Sequence, residues 1–507
     1  MTGTGGAPLR AWNATAFGAD EITPMPVEAL GAALARRVSE AWRLVALFGI
    51  PRERLPLPLV ALLSHPDGGW LEVLGTEVGQ AYPSFTPSCP QAARFEREVC
   101  EQFGVRPAGH PWLKPVRGEA SWGPGPVEPH PRGAEIGVGY PFFSMEGSGV
   151  HEVAVGPVHA GVIEPGHFRF QCHGEVVHHL EIVLGYQHRG VERALLGGPH
   201  RATVQQIEEL SGDATVAHAT AYCEVREALA AQVVPPRGQA LRALALELER
   251  MACHTGDLGA LAGDVGFLPT AAYCGRLRGV FLDLTAELCG NRFGRGFVRP
   301  GGVTRDLADG DARRMLETLR TAEPELRSAV ELFFSSGSVL ARVEQVGVVS
   351  REDALALGLV GVAARACGLS VDARQDHPSG LYRVSHIPVA TSSGGDVHAR
   401  AVVRWLEVQR SLDFVRRVLR ELPSGPVRTP EKPPRPDAAA FSLVEGWRGE
   451  VVHVAVTGRS GSFERYKVVD PSFRNWPGLE LAVRGQQVSD FPLCNKSFNL
   501  SYSGHDL

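Results

Sequence analysis

The 507-residue chain lacks the features that would tie it to a bilayer, to secretion or to nucleic acid. Its longest uninterrupted apolar run, residues 354–364, is 11 residues long, short of the roughly 18 that a membrane-crossing helix needs. The N-terminus has no basic start followed by an apolar stretch, so no secretory signal is predicted. No block of Lys and Arg occurs and the formal net charge is −5, which disfavours a nucleic-acid partner.

Cysteine is scarce and dispersed. The nine cysteines include no CxxC pair, and the closest two lie 11 positions apart. This pattern fits a reduced cytosolic chain and excludes local iron–sulfur or zinc motifs, while ligands distant in sequence stay open. Because no P-loop and no strand-linked GxGxxG motif occurs, the chain is not predicted to bind nucleotide by itself.

The rest of the composition is that of an ordinary globular protein. Hydrophobic residues make up 44% and charged residues 21% of the chain, and its length favours about two to four domains. The patterns predict a helix over residues 29–47, a strand near 57–63 and a helix over 95–103. A Pro- and Gly-rich stretch at 118–133 is typical of a linker.

The later part of the chain changes character twice. Alternation at residues 168–172 and the apolar stretch that follows predict a β-hairpin, and the pattern becomes helical after Gly190. An apolar stripe predicts a helix from about Asp396 to Glu421. Alternation returns in roughly the last 70 residues and predicts a small antiparallel sheet.

Two groups of polar residues are candidates for chemistry. Six histidines lie within 30 residues: His159, His167, His173, His178, His179 and His188. They could titrate, bind metal or carry protons, or they could face solvent from a strand.

Glu247, Arg250 and His254 share one helix face at spacings of 3 and 4. That triplet is either a solvated face with local ion pairs or a set that tunes a charged cofactor across an interface.

Several short segments, in their order along the chain, resemble one protein family. They are GPVHAGVIEPGHFRF (156–170), GYQHRGVER (185–193), AHATAYCEVREAL (217–229), ELERMACH (247–254), GDVGF (263–267), RPGGV (299–303), ARACGLSVDAR (364–374), VEGWRGE (444–450) and VVDPSFRNW (468–476). Together they resemble the large subunit shared by respiratory complex I, as its 49 kDa quinone-site subunit, and the membrane-bound, energy-converting nickel–iron hydrogenases of group 4. Residues 95–117 resemble the 30 kDa complex I subunit, fused in front as in formate hydrogenlyase large subunits. The C-terminal residues 490–507 are closer to the hydrogenase branch.

The resemblance implies a fold and its division into domains. An α+β domain of the 30 kDa type is expected over residues 1–117, followed by a Pro/Gly-rich linker over 118–140. A mainly α hydrogenase-like large-subunit domain, with β-rich entry and exit segments, is expected over 141–507.

The metal-ligand positions of the hydrogenases are altered here. Hydrogenases of this family hold nickel and iron with two CxxC pairs, whose cysteine positions correspond to Ser211 and Ala214 and to Ser472 and Asn475. Serine and asparagine cannot replace four soft thiolates. The sequence therefore predicts no nickel–iron centre, no metal bound by this chain and no hydrogen chemistry on it.

The quinone site of complex I is also only partly matched. The tyrosine that complex I places before the AHxxAY-type helix corresponds to Gly212. His159 matches the first histidine of the family's HPxxHG turn, and His167 follows eight positions later. The resemblance makes these two histidines the candidate catalytic residues of an acceptor pocket, with quinone as a candidate acceptor.

A third set of positions is retained. Arg189 and His254 match the residues that face a 4Fe-4S cluster in the partner small subunit, and His188 and Arg250, near them in sequence, are expected to face it as well. A guanidinium and an imidazole donor near a cluster would raise its reduction potential and fix the docking register.

Three functions follow as alternatives. The first is the large peripheral-arm subunit of a redox complex that passes electrons, as NADH-quinone oxidoreductase does from NAD(P)H, to quinone or another acceptor and couples this to ion translocation. The second is a non-catalytic scaffold that transmits conformational change, and the third is a hydrogenase with relocated ligands. The partners implied are a small iron–sulfur subunit, a ferredoxin-like subunit and antiporter-like membrane subunits. The chain is expected in the cytoplasm, on the inner face of the cell membrane, with membrane contact only through these partners.

Overall fold

A computed structural model describes residues 8–119, 121–123, 140–161 and 163–507. Most of the linker predicted at 118–140 lies outside those residues. The division into three segments therefore stays a prediction. The architecture that is described is mixed α/β, with a β-rich N-terminal region, a helical middle and a β-rich segment before the last helices.

The N-terminal region is a mixed sheet with two helices. Its elements are β1 (Leu9–Ala11), β2 (Ala16–Gly18), β3 (Pro24–Met25), α1 (Val27–Ser39), β4 (Arg43–Gly49), β5 (Leu57–Ser64), β6 (Leu71–Val78), β7 (Ala81–Pro83), α2 (Ala93–Phe103) and β8 (Arg106–Ala108). The main sheet has the order β1-β6-β5-β4, and β3 runs parallel to β6 at its edge. Helix α1 packs on β6 and β4, and α2 packs on β4.

The helix predicted over residues 29–47 is wrong in its second half. Helix α1 ends at Ser39, Ala41 adopts a positive φ of 63°, and the chain then enters strand β4. All seven residues of β4 are buried, and a short apolar run of that kind fits a buried strand as well as a helix. The predicted strand and the second predicted helix are confirmed as β5 and α2, and Gly104 ends α2 in the left-handed conformation.

A three-stranded antiparallel sheet opens the second part of the chain. Strands β9 (Val150–Val155), β10 (His167–His173) and β11 (Val176–Val183) lie in the order β11-β10-β9. Phe168 pairs with Ile182 on one side and with Val155 on the other. The predicted hairpin is therefore confirmed.

The middle of the chain is helical. Its elements are α3 (Val191–Ala194), α4 (Thr203–Glu208), α5 (Thr215–Leu229), α6 (Pro236–Asp264), α7 (Leu268–Cys289), β12 (Val298–Arg299), β13 (Gly302–Val303), α8 (Asp309–Ser335), α9 (Gly337–Val343), α10 (Arg351–Leu357), α11 (Gly361–Arg365), α12 (Ala373–Asp376) and α13 (Val397–Arg420). Helix α6 packs against α5, α7 and α13. The helix predicted from about Asp396 to Glu421 is confirmed as α13, and the Asp396 carboxylate caps it by accepting a hydrogen bond from the Ala399 amide at 2.7 Å.

The C-terminal segment returns to the N-terminal region. Its elements are β14 (Ala438–Gly446), β15 (Gly449–Thr457), β16 (Phe463–Val469), α14 (Pro471–Val483), α15 (Phe491–Phe498) and α16 (Tyr502–Asp506). The strands form the predicted antiparallel sheet in the order β16-β15-β14-β2. Because β2 comes from the N-terminal region, Phe17 packs against Phe441 and one core joins the two regions.

Candidate functional site

The two segments that correspond to the hydrogenase ligand motifs meet next to the last helix. Residues 211–214 lead into α5, and Asp470 caps α14, whose first turn carries Ser472. The Ser211 hydroxyl lies 3.0 Å from the Ser501 hydroxyl, and the Ser501 amide donates to Ser472 Oγ at 2.8 Å. All three serines are buried, so one bridging serine connects the two segments.

The other two former ligand positions are also buried and occupied by non-ligating groups. Ala214 is the residue before α5. The Asn475 side chain accepts a hydrogen bond from the Val360 amide at 3.0 Å and donates to the Val360 carbonyl at 3.1 Å. Hydroxyls, a methyl group and a fully used amide do not fit a nickel–iron centre. Within the part of the chain that the structure describes, no three His, Cys, Asp or Glu side chains are grouped closely enough to hold a metal ion.

An ion pair lies beside these serines. Arg448 binds both carboxylate oxygens of Asp213 at 2.6 and 2.8 Å and lies over the Trp447 ring, 3.9 Å from its centroid. Burial opposes ionisation of Asp213, but the charge and hydrogen bonds of Arg448 lower the pKa of this carboxyl below its usual value. A paired, ionised group thus stands next to the former ligand positions.

A cavity of about 230 Å³ opens beside Asp213. Cys253, Asp257, Arg278, Trp447 and Asn499 are among its lining residues. Neither of the histidines predicted for the acceptor pocket is among them.

His159 lies on the connection between β9 and β10, and His167 is the first residue of β10. His159 Nε2 is 2.9 Å from the Gly166 carbonyl, and His167 Nδ1 is 3.2 Å from the Gly156 carbonyl. Each imidazole therefore holds its own turn closed. His167 Nε2 is buried without a described partner, and burial lowers the pKa of this imidazole.

The predicted cluster-facing residues His188 and Arg189 lie on the loop after β11 and are tied to the C-terminus. His188 Nδ1 is 2.7 Å from the Asp506 carbonyl oxygen. The Arg189 guanidinium donates to the carbonyls of Glu209, Leu210 and Ser503 at 2.7 to 3.1 Å. The Arg189 guanidinium is thus fixed against residues 209–210, which lead into the former ligand positions. Arg189 as a whole is nevertheless exposed.

Arg250 and His254, the other two predicted cluster-facing residues, are completely buried in this chain. His254 Nε2 is 2.9 Å from a Glu407 carboxylate oxygen, and Arg250 donates to Glu247 at 3.1 Å. Burial lowers the pKa of His254 in spite of this bond, so the neutral imidazole donates to a carboxylate. The His254 ring packs edge-on against the Trp447 ring, with their centroids 6.1 Å apart.

These two residues belong to a larger buried network, the charged cluster. It comprises Glu247, Arg250, His254, Arg365, Asp372, Arg374, Glu407 and Glu445. Arg365 pairs with Glu407 and with Glu445, each at 2.7 Å. The spacing of Glu247, Arg250 and His254 identified one side of this network. Its other side could not be read from local patterns.

A buried relay of titratable groups was missed by sequence reasoning. His218 Nδ1 is 3.0 Å from His453 Nε2, and His218 Nε2 is 3.1 Å from Asp470 Oδ2. His453 Nδ1 is in turn 2.8 Å from the Tyr466 hydroxyl. The segments AHATAY and GEVVH carry the histidines, but nothing in either segment indicates that they touch.

Two family models match this chain. Residues 264–438 match the family described as the respiratory-chain NADH dehydrogenase 49 kDa subunit, and residues 59–132 match the 30 kDa subunit family. The carbon monoxide-induced hydrogenase of Rhodospirillum rubrum is 32% identical over 350 residues, which are 69% of this chain and 97% of that protein. Formate hydrogenlyase subunit 5 of Escherichia coli is 31% identical over 444 residues, 84% of this chain and 77% of that protein. NADH-quinone oxidoreductase subunit 4 of Thermus thermophilus is 31% identical over 368 residues, 66% of this chain and 89% of that protein.

The chain belongs to the large-subunit family shared by complex I and these hydrogenases. The resemblance drawn from the ordered segments is therefore confirmed, including the fusion of a 30 kDa-type segment in front of the 49 kDa-type segment. Among the helices of the described residues, none is long and apolar enough to cross a membrane.

Proposed function

We propose that this complex I/hydrogenase-type large subunit is the peripheral-arm subunit of a membrane-associated redox complex that works without a nickel–iron centre on this chain. The observation that carries the proposal is the contact between the two former ligand segments. Ser501 bridges the two segments, because its hydroxyl lies 3.0 Å from the Ser211 hydroxyl and its amide donates to Ser472 Oγ at 2.8 Å. The family relation supports electron transfer from NAD(P)H or a ferredoxin-like donor to quinone or another acceptor, coupled to ion translocation.

The retained basic residues support electron transfer through a partner. Arg189 is exposed and held by three carbonyl groups at the edge of the former ligand positions. A fixed, exposed guanidinium would stabilise the reduced state of a 4Fe-4S cluster in a docked small subunit. His188 shares this loop, while His254 and Arg250 would act from the buried charged cluster. The membrane partners would be antiporter-like subunits, and the complex would lie on the cytoplasmic face of the cell membrane.

The experiment is metal analysis and redox titration of the complex purified from its native membrane. We expect iron from partner clusters and no stoichiometric nickel. Stoichiometric nickel would overturn the proposal and favour a hydrogenase with relocated ligands.

Arg189→Ala tests the role of the retained loop. Removing a positive charge should lower the reduction potential of the partner cluster, whereas Arg193→Ala, an exposed base on the adjacent helix α3, should leave it unchanged. An unchanged potential in Arg189→Ala would reject its assignment to the cluster. His254→Ala gives the same test for the buried pair.

A non-catalytic scaffold is the second candidate function. It is favoured by the placement of His159 and His167, which bond to carbonyls of their own turn and do not line the cavity beside Asp213. Binding of a quinone analogue to the purified complex separates the two functions. Saturable binding supports electron transfer to quinone, and failure of any quinone analogue to bind supports the scaffold.

A further inference from the structure

A larger cavity, of about 440 Å³, lies elsewhere in the molecule. It is enclosed by residues 14–16, helices α5 and α6, and the short turn Gly380–Arg383. It shares no lining residue with the cavity beside Asp213. Its volume is that of a small-molecule site, and nothing in the proposed electron transfer uses it.

One face of helix α5 supplies the polar part of the wall. Thr220, Glu224 and Glu227 follow one another at spacings of 4 and 3, which place them on the same side of a helix. All three line the cavity. The cavity therefore has one wall in which a hydroxyl and two carboxylates lie close together.

The two carboxylates differ in their partners. Glu227 is paired with Arg242 through two hydrogen bonds of 2.5 and 3.0 Å. Glu224 is 7% exposed and accepts a hydrogen bond from the Ser442 hydroxyl at 2.6 Å. Burial raises the pKa of this carboxyl, and the hydroxyls of Ser442 and Ser379 oppose that rise. Among the described residues no base is ion-paired with Glu224. A buried carboxylate without a cation is costly, and it marks a place where a positive group would be stabilised.

The other charged groups of the wall are already engaged or lie at its rim. Glu445 pairs with Arg365 at 2.7 Å, and Arg374 pairs with Asp372 at 2.6 Å. Arg383 donates to the backbone carbonyls of Pro378 and Asn13 at 3.3 Å and is exposed. The charge left to recognise a ligand inside the cavity is therefore that of Glu224.

Thr220 provides a second and independent sign of a ligand. Its side-chain oxygen is buried and has no hydrogen-bond partner in the described part of the chain, and the residue is one of those that line the cavity. Buried hydroxyls are rarely left unpaired, because each loses its hydrogen bonds to water. A ligand that donates a hydrogen bond at this wall would satisfy both Thr220 and Glu224.

Part of the remaining wall is apolar. Ala243 and Leu246 from α6, Leu381 from the short turn and Ala228 from α5 line it, and Val233 at its edge is 77% exposed. This surface suits a short hydrocarbon chain rather than a second charged group.

We propose that this cavity binds a small organic cation, an alkylammonium whose N–H groups bond to Glu224 and Thr220 and whose hydrocarbon chain packs against Leu246 and Leu381. The cation would supply the missing counter-charge of Glu224. Carboxylates such as hexanoate would be excluded by the same charge.

The test is calorimetric titration of the full chain with three probes of the same length: hexylammonium, hexan-1-ol and hexanoate. We expect hexylammonium to bind with a Kd at least tenfold lower than hexan-1-ol, and hexanoate not to bind. Glu224→Gln should abolish the preference for the ammonium probe, and Thr220→Val should weaken its binding several-fold. Glu175→Gln, which changes an exposed carboxylate in the β10–β11 turn, should bind all probes as the wild type does.

Thermal unfolding of each variant verifies that it is folded. The comparison of the three probes on wild-type protein holds even where a variant fails to fold. Equal affinity for the ammonium and the alcohol, absence of ammonium binding at millimolar concentration, or an unchanged Kd in folded Glu224→Gln would each overturn the proposal.

Discussion

Two buried polar regions of this molecule are built on opposite principles. The hydroxyl pocket, formed by Ser211, Ala214, Ser472, Asn475 and Ser501, is held mainly by hydrogen bonds between neutral groups, and Ser211 also contacts the charged Asp213–Arg448 pair. The charged cluster around Glu407 and Arg365 is held by ion pairs between completely buried groups. A neutral hydrogen bond contributes about 1 kcal/mol net, whereas an unpaired buried charge costs several.

This difference indicates which region can change its residues without loss of the fold. In the hydroxyl pocket the polar side chains bond mainly to neutral groups, so a replacement by another small residue leaves few charges unpaired. In the charged cluster every charged group has at least one partner of opposite charge, and the neutral His254 bonds to Glu407, so the loss of one member leaves others unbalanced. For the proposed function, this contrast gives a physical reason why the proposed metal-ligand positions would tolerate replacement while Arg250 and His254 would not.

The largest effect is expected for Glu407→Gln in the charged cluster. Burial opposes ionisation of Glu407, but Arg365, His254 and Arg250 hold its pKa well below the usual value. Removing its charge leaves two buried arginines underpaired, and we expect the free energy of unfolding to fall by about 3–5 kcal/mol. Urea unfolding followed by circular dichroism measures this loss.

The matched control is Glu317→Gln, which removes the exposed partner of Arg320 on helix α8. No measurable change is expected there, because exposed ion pairs contribute little. If Glu407→Gln loses no more free energy of unfolding than the control does, the charged cluster does not stabilise the fold in the way described.

A second effect concerns pH and the joint between the N-terminal and C-terminal regions. Glu450 is buried and pairs with Arg43 of β4 and with Arg474 of α14, at 2.6 and 2.9 Å. Burial opposes its ionisation, but Arg43 and then Arg474 lower the pKa of Glu450 to about 2. The contribution of Glu450 to the free energy of unfolding is therefore fully present above its pKa in the unfolded chain. It is lost as the pH falls through its pKa in the folded protein.

The measurement compares wild type with Glu450→Gln in urea at pH 6 and pH 3. The difference in the free energy of unfolding between wild type and variant should be smaller by about 2 kcal/mol at pH 3 than at pH 6. At pH 3 the carboxyl of Glu450 is largely protonated in the unfolded chain but still mostly ionised in the folded protein. A gap that stays constant or widens on acidification would show that Glu450 is not held ionised by the two arginines.

The sequence predicts the secondary-structure elements of both regions better than it predicts their polar contacts. Alternation identified β10, and an apolar stripe with Asp396 identified α13, because both signals are local. The resemblance identified the former ligand positions. It could not reveal that Ser501, 290 positions from Ser211, bridges them, or that Glu407, 153 positions from His254, completes the charged cluster. Local periodicity specifies faces of elements, whereas long-range polar partners are fixed only by packing.

A third and smaller effect is expected in the hydroxyl pocket at Asn475. Its amide pairs with both the amide and the carbonyl of Val360, as a backbone group would. Asn475→Ala leaves two buried backbone groups without partners, and we expect a loss of about 2 kcal/mol in the free energy of unfolding. Asn475→Asp keeps only the acceptor and should be at least as destabilising. A loss below about 0.5 kcal/mol in Asn475→Ala would mean that water replaces the side chain.

The smallest effect is expected for Ser211→Ala. The Ser211 hydroxyl lies 3.0 Å from Ser501 Oγ and 3.1 Å from Asp213 Oδ1. When it is removed, Ser501 keeps the hydrogen bond that its hydroxyl accepts from the Gly504 amide, at 2.9 Å, and Asp213 keeps both bonds from Arg448. We therefore expect a loss of about 1 kcal/mol or less in the free energy of unfolding, measured by the same urea unfolding.

Ser472→Ala is the companion variant. It deprives the buried Ser501 amide of its acceptor, so it should lower the free energy of unfolding more than Ser211→Ala does. The reverse order would show that the contact between the two segments does not pass through Ser501, and that the pocket is held together by the Asp213–Arg448 pair instead.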